Sequence, residues 1–163
     1  MKPPRTADPI KIEARKARAL RRVGCGARCA CGEARPEALI AGSQPMICAA
    51  CDRTARGQSL TDAHHVAGRA NNDFTTPIPV NDHRAELSTA QMEWSRTLRV
   101  NPNRSPLIAA AAGVRGFMET LINMIKRVLG WIPDTLEAID KWLTEKLGPN
   151  WFVGIPGLLF PAQ

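Results

Sequence analysis

Apolar residues recur through the C-terminal third of the chain at alternating steps of three and four: Leu107, Ala110, Val114, Phe117, Leu121, Met124, Val128 and Trp131. A parallel row (Ala111, Met118, Ile122, Ile125, Leu129, Ile132) widens the stripe. Both rows predict one long amphipathic helix that turns its apolar face to a core. Ser105-Pro106 supplies an N-cap and a first-turn proline to start it. Gly130 and Pro133 are expected to break it, and Asp134 to Leu147 to return as a second helix with Leu136, Ile139, Leu143 and Leu147 inward. Gly148-Pro149 stops that one. The pattern predicts a helical hairpin packed on the rest of the chain, with a dimer seam or contact with a membrane surface as alternatives. The tail from Trp151 to Phe160 is apolar without a period.

Upstream the signals are shorter. Asp8-Pro9 forms an N-cap and first-turn pair for a helix from Ile10 to Val23, which has six Lys/Arg and only a weak apolar face; Gly24 and Gly26 end it. Residues 1–8 read as disordered. Gln58 to His64 reads as a strand and Gly68 to Thr75 as a polar, Asn-rich loop. Thr76 to Val80 reads as a short edge strand, because Pro77 and Pro79 donate no backbone hydrogen bond. Asn81 is the expected N-cap of a helix opening at Asp82. Ser88-Thr-Ala-Gln91 has the capping-box spacing and predicts a further helix to about Arg99 with Trp94 as its core anchor. Asn101 to Arg104 is a linker. The order is strand, loop, strand, helix.

Composition makes the core problem plain. The 163 residues include no Tyr, four Trp and four Phe, so the interior must rest on Ala, Leu, Ile and Val. A small domain of that kind is marginal and gains from a metal staple. The net charge is +7, and it is an N-terminal feature: residues 1–35 hold ten Lys/Arg against three Asp/Glu, while the remainder holds twelve of each. Such a basic arm suits contact with phosphates; the alternative is a solvated tail. The N-terminus is polar and charged with no apolar central region, so no secretory signal is expected. The longest uncharged stretch of the helical region, Ser105 to Val114, falls short of the roughly 20 residues that span a bilayer. No transmembrane segment and a cytoplasmic location are expected.

The five cysteines are Cys25, Cys29, Cys31, Cys48 and Cys51. Cys29-Ala-Cys31-Gly32 and Cys48-Ala-Ala-Cys51 suit two knuckles converging on one tetrahedral structural zinc ion. Gly32 permits the tight turn in which backbone amides donate to thiolates. Cys25 is an alternative to Cys29, or a free thiol. An odd count in close pairs without an export signal favours metal in a reducing cytosol over disulfides; a redox pair or unrelated buried cysteines remain as alternatives.

All three histidines lie between Thr61 and His83. Cleaving a phosphodiester requires an activated water, charge stabilisation on the phosphoryl oxygens and help for the departing 3′-oxygen. One divalent cation supplies the last two and one histidine the first. Neighbours on a strand point to opposite faces, so His64 and His65 divide into one ligand and one base. His83, at a helix start, can return across the strand to the metal.

Asp62-Ala-His64-His65-Val66, an Asn-bearing loop and Val80-Asn-Asp-His83-Arg84 resemble the HNH endonuclease motif, over roughly residues 28–95. The resemblance implies an α+β protein with a small ββα-metal core and a zinc knuckle, here between a basic N-terminal arm and a C-terminal α-helical hairpin. It implies His65 as general base and His64 with His83 as ligands of a divalent cation, Mg²⁺ or Mn²⁺, with Zn²⁺ or Ni²⁺ as alternatives. The family's central asparagine has no clean counterpart, since its usual spacing falls on Phe74 and Thr75; Asn71, or else Asn72, is the substitute. Both cysteine pairs precede the histidines, whereas many members place one pair around the last histidine. Arg69 and Arg84 flank the site and suit a bidentate clamp on the scissile phosphate, or else pair with Asp73 or Asp82.

The expected organisation is a basic arm and helix (1–27), an HNH nuclease domain (28–100) and a helical region (101–163). The expected function is metal-dependent hydrolysis of DNA. The rivals are a non-catalytic zinc module that binds nucleic acid, and an assembly protein that forms a homodimer or holds a protein partner through its C-terminal helices. The fold serves restriction, homing, phage packaging and toxin roles alike, so the biological role stays open.

Overall fold

A computed structural model describes residues 8–153. The expected disorder before Asp8 and the apolar tail beyond Val153 lie outside the described residues. The protein is α+β, and the chain divides into two units, residues 1–123 and 124–163.

The first unit opens with α1 (Pro9–Val23), whose N-cap is Asp8, accepting from the Ile10 amide. No residue of α1 is buried. The helix is held through Arg15, which donates to the Thr89 carbonyl at 3.4 Å and to Glu93 Oε1 at 3.1 Å. The two cysteine knuckles follow, tied by an antiparallel bridge between Leu39 and Cys48. The second knuckle runs into α2 (Ala49–Ala55), which the sequence pattern did not predict. Strands β1 (Thr61–His65) and β2 (Thr75–Pro79) form an antiparallel hairpin in which His64 faces Thr76 and His65 faces Thr75.

The chain then turns directly into helix: α3 (Val80–Asp82), a π-type segment (His83–Leu87) and α4 (Ser88–Glu93). The residues at both joints have right-handed helical dihedrals, so the three run on as one helix. Two expected caps are therefore absent. Asn81 does not cap this helix, because its side chain accepts from the Ala50 amide at 3.0 Å and donates to Glu33 Oε2 at 3.2 Å. Ser88 opens no capping box; its amide bonds back five residues to the His83 carbonyl, which widens the turn. The break comes at Trp94 (ψ 152°), after which Ser95 caps α5 (Arg96–Val100).

The core is small. One cluster gathers Cys29, Leu39 and Cys48, and another gathers Ala67, Trp94 and Ala112. Trp94 is the anchor expected of it, 1% exposed.

Helix α6 (Pro106–Leu129) starts at Ser105-Pro106 as predicted, but in the first unit it buries the opposite face from the one expected. Its buried residues are Ala112, Gly116, Thr120 and Asn123, while Leu107, Val114, Phe117 and Leu121 are 80, 67, 61 and 44% exposed. The reason is close approach: a Cβ at Gly116 would collide with the Val66 carbonyl oxygen and lie 3.2 Å from the Trp94 ring. Only a face of small residues comes that near a backbone. Asn123 completes the docking by donating to Glu86 Oε2 at 3.0 Å.

In the second unit Gly130 does not turn the chain back. It keeps helical dihedrals (φ −63°, ψ −21°) and its amide bonds to the Lys126 carbonyl at 2.7 Å. The chain continues into α7 (Trp131–Leu147), with Pro133 in the first turn, where its missing N–H is tolerated. The expected hairpin is thus replaced by continued helix, and Leu136, Ile139 and Leu147 are exposed rather than inward. By length and composition alone the run Pro106–Leu147 suffices to cross a membrane, although its longest uncharged stretch is short.

Replacing Gly116 by Ala should destabilise the protein by about 3 kcal/mol, the upper range for overpacking. Gly113, with nothing within 4 Å of its would-be Cβ, is the control: Gly113→Ala should be neutral or stabilise by up to about 1 kcal/mol. Urea denaturation reads both, and equal effects would show that α6 does not seat against Val66.

Candidate functional site

The cysteine sulfurs are the best-defined cluster. Donor atoms of Cys29, Cys31, Cys48 and Cys51 lie within 4.8 Å of one another, with Cys31 and Cys48 at 3.6 Å. A tetrahedral zinc with bonds of about 2.3 Å separates its thiolates by about 3.8 Å, so the residues fit such an ion. Cys25 is exposed and outside the cluster, which selects Cys29 as the fourth ligand.

Titration behaviour agrees with the fit. The backbone amides of Cys31 and Cys48, with the neighbouring thiols, draw Cys29 down to about 6 against the opposing effect of burial. Burial pushes Cys48 up, but the Cys51 amide, the Asn81 side chain and its thiol neighbours bring it below its ordinary value. The thiols of Cys31, Cys48 and Cys29 push Cys51 up, and Cys31 is raised as well. Four sulfurs this close share negative charge only with difficulty, and a dication removes that conflict.

A polar network joins the knuckle to the histidine-bearing helix. Arg35 bonds Glu33 (2.6 Å), Asp82 (2.9 Å) and Glu86 (2.8 Å). The Arg35 guanidinium, against the cost of burial, holds Glu33 down to about 2. Asn81 adds a neutral link from the same helix to Glu33 and to the start of α2.

The histidine site sits where β1 meets that helix. Asp62 and His64, two residues apart on β1, share a face, and His83 meets both. Its Nδ1 lies 3.0 Å from Asp62 Oδ2, and its ring stands edge-on to His64 with centroids 5.3 Å apart. Ser88 Oγ is 3.4 Å from His83 Nε2, carried there by the widened turn. Burial pushes Asp62 up, but Arg53, bonded at 2.6 Å, and His83 together hold the carboxyl below its ordinary value. Burial, then the charges of His83 and His65, lower His64 to about 4, so it is neutral at pH 7. His64 is 1% exposed, and its Nδ1 has no hydrogen-bond partner.

His65 belongs to the other face of β1. Its carbonyl accepts from Gln91 Nε2 at 2.7 Å and from the Gly68 amide at 2.9 Å, and its buried Nδ1 has no partner. Asn71 does not join the histidines: its amide donates to the carbonyls of Ala67 (2.9 Å) and Leu98 (2.7 Å), fixing the loop to α5. Arg69 lies with Asn71 on a separate cleft, whereas Arg84 lines the cleft that holds His83. Neither arginine pairs with a carboxylate among the described residues, and Asp82 is held by Arg35 instead.

Sequence reasoning missed Asp62, Arg53 and Ser88. The spacing Asp62-x-His64 was signal enough for the first, since period two puts both on one strand face. Nothing local marks Arg53 or the widening that delivers Ser88.

Purified from zinc-containing medium, the protein should carry one zinc ion per chain, released to a chromogenic chelator after thiol modification. Cys31→Ser and Cys51→Ser should abolish it, while Cys25→Ser should retain it. A zinc-free wild type, or zinc lost with Cys25→Ser, contradicts the assignment.

Compared with protein-family models, curated proteins and solved structures, the chain matches none.

Proposed function

We propose that the chain is an HNH-type, metal-dependent endonuclease that hydrolyses phosphodiester bonds of DNA. The observation that carries this reading is the Asp62–His83 pair at a cationic cleft of about 730 Å³, with His64 against the same imidazole. Arg15, Arg18, Arg22 and Arg84 also line that cleft. Glu93 pairs with Arg15, but among the described residues no carboxylate pairs with Arg18, Arg22 or Arg84.

A divalent cation (Mg²⁺ or Mn²⁺, with Zn²⁺ or Ni²⁺ as alternatives) supplies charge stabilisation on the phosphoryl oxygens and the departing 3′-oxygen when bound. His64 and His83 are its protein ligands. The donor set suits this role: His64 is kept neutral by burial and has an unpartnered ring nitrogen. Asp62 accepts from His83 Nδ1–H, fixing the tautomer that leaves Nε2 as a donor to metal. His65 takes the proton from the attacking water, its backbone held by Gln91 and Gly68. Arg84 clamps a phosphate oxygen. Asn71, committed to two loop carbonyls, acts on the site only by shaping the loop.

His65→Ala should lose nicking of supercoiled plasmid by at least about a hundredfold yet still bind DNA. Asp62→Asn, which removes support for a ligand, should lose about ten- to a hundredfold. Cutting by His65→Ala at the wild-type rate removes that residue from the role of base. Absence of cutting in Mg²⁺, Mn²⁺, Ni²⁺ and Zn²⁺ alike favours the non-catalytic zinc module.

Assembly is a second reading, favoured by the uncovered side of α6. Within the first unit Leu107, Val114, Phe117, Met118, Leu121 and Ile122 are 44–80% exposed. These six residues alone expose on the order of 700 Å², beyond the largest patch of a typical monomer and close to the ~800 Å² each partner contributes to a stable interface. The heptad spacing of Leu107, Ala110, Val114, Phe117 and Leu121 matches a seam between helices, and its occupant is a second copy of this chain. Light scattering should give a dimer, and Val114→Glu with Phe117→Glu a monomer that keeps its zinc. A wild-type monomer, or one recovered only with phospholipid vesicles, rules this reading out.

A further inference from the structure

We infer that the cleft over His83 accepts a single polynucleotide strand and excludes duplex, phosphates meeting one wall and sugars and bases the other. The use of such a site rests on the nuclease reading; its test does not.

The cationic wall is α1. Arg15, Arg18 and Arg22 are spaced three and four residues apart, which puts them on one face of a helix. Arg15 orients that face, since its guanidinium is bonded to Thr89 and Glu93 of the floor helix. Arg18 and Arg22 follow along the cleft, the latter about 10 Å beyond Arg15 at 1.5 Å per residue. Arg84 continues the positive surface on the floor beside His83.

The segment between the knuckles also lines the cleft and differs in kind. Pro36, Leu39, Ile40 and Ala41 line it, with Glu37 its single acidic side chain. A strand of nucleic acid has the same asymmetry, with anionic phosphates along one edge and apolar sugar and base faces along the other. Among the described residues no Phe or Trp lines the cleft, so the phosphate contacts dominate and affinity falls steeply with salt.

Size separates one strand from two. A volume of about 730 Å³ takes only a few nucleotides of one strand, and His83 is reached from inside the cleft that α1 and the segment between the knuckles line. With both of them lining it, a duplex cannot lower its backbone onto His83. A strand that has left its partner can.

The experiment uses the full-length His65→Ala chain, without added divalent metal or chelator so that its zinc is kept. Fluorescence anisotropy follows labelled twelve-nucleotide oligothymidylate, oligouridylate and a mixed-sequence duplex at low salt. Both single strands should bind at least about tenfold more tightly than the duplex; the two arms read any preference for deoxyribose or ribose. Arg18→Glu should weaken single-strand binding about tenfold or more. Arg21→Glu makes the same charge change on a residue that does not line the cleft, and should lower affinity less than threefold. Circular dichroism and zinc content confirm that each variant folds. Duplex binding as tight as single-strand binding, or equal losses from the two substitutions, overturns the inference. Cleavage is read separately on the wild-type chain with added Mg²⁺ or Mn²⁺: wild type that cuts relaxed duplex as fast as single strands sinks this proposal and leaves the nuclease reading standing. Wild type that prefers single strands but cuts nothing does the reverse.

Discussion

Four cysteine sulfurs drawn into one cluster are the constraint on which the rest of the first unit depends. Among the described residues only twelve apolar side chains are buried, and two of those are cysteines. A core of that size supports little on its own, while a structural zinc brings on the order of 10 kcal/mol to the folded state. The knuckle passes that order onward. Arg35, bonded to Glu33, leaves it to hold Asp82 and Glu86, and Asn81 ties the same helix to Glu33 and to the start of α2. Every one of those helix residues lies within three positions of His83, so the cysteine cluster bears on where the imidazole sits without touching it.

Within the histidine site the division of labour is electrostatic. Burial makes His64 neutral at pH 7. Arg53 keeps Asp62 ionised despite its own burial, so it accepts from His83 Nδ1 and leaves the other nitrogen outward. The π-type turn adds Ser88 on that outward side. Such widenings are uncommon and gather at functional positions; this one explains why a spacing that looks like a capping box caps nothing.

Helix α6 reverses the usual relation between apolarity and burial. In the first unit its docking face is small and polar, because Gly116 must lie against the Val66 carbonyl and Asn123 must reach Glu86. The strong apolar stripe is left outside. Amphipathicity reports that a face will leave water, but not whether it meets its own chain or another surface, and here the nearest core surface offers room for backbone contact only.

Much was legible where the governing interactions are local. Asp8-Pro9 and Ser105-Pro106 mark helix starts, since a cap and a first-turn proline act within four residues. Proline-limited Thr75–Pro79 pairs as an edge strand because its partner, Thr61–His65, precedes it across a single loop. The cysteine spacing announced a four-cysteine cluster that fits a metal ion. What tertiary structure alone decided is everything that depends on partners distant in sequence. It chose Cys29 over Cys25, took Asn81 from the role of cap to that of a bridge, set Arg15 of α1 against Glu93, and turned the small face of α6 inward. A cap is specified by the residue and its next turn. A docking face is specified by the shape of the surface opposite, which exists only once the chain has folded.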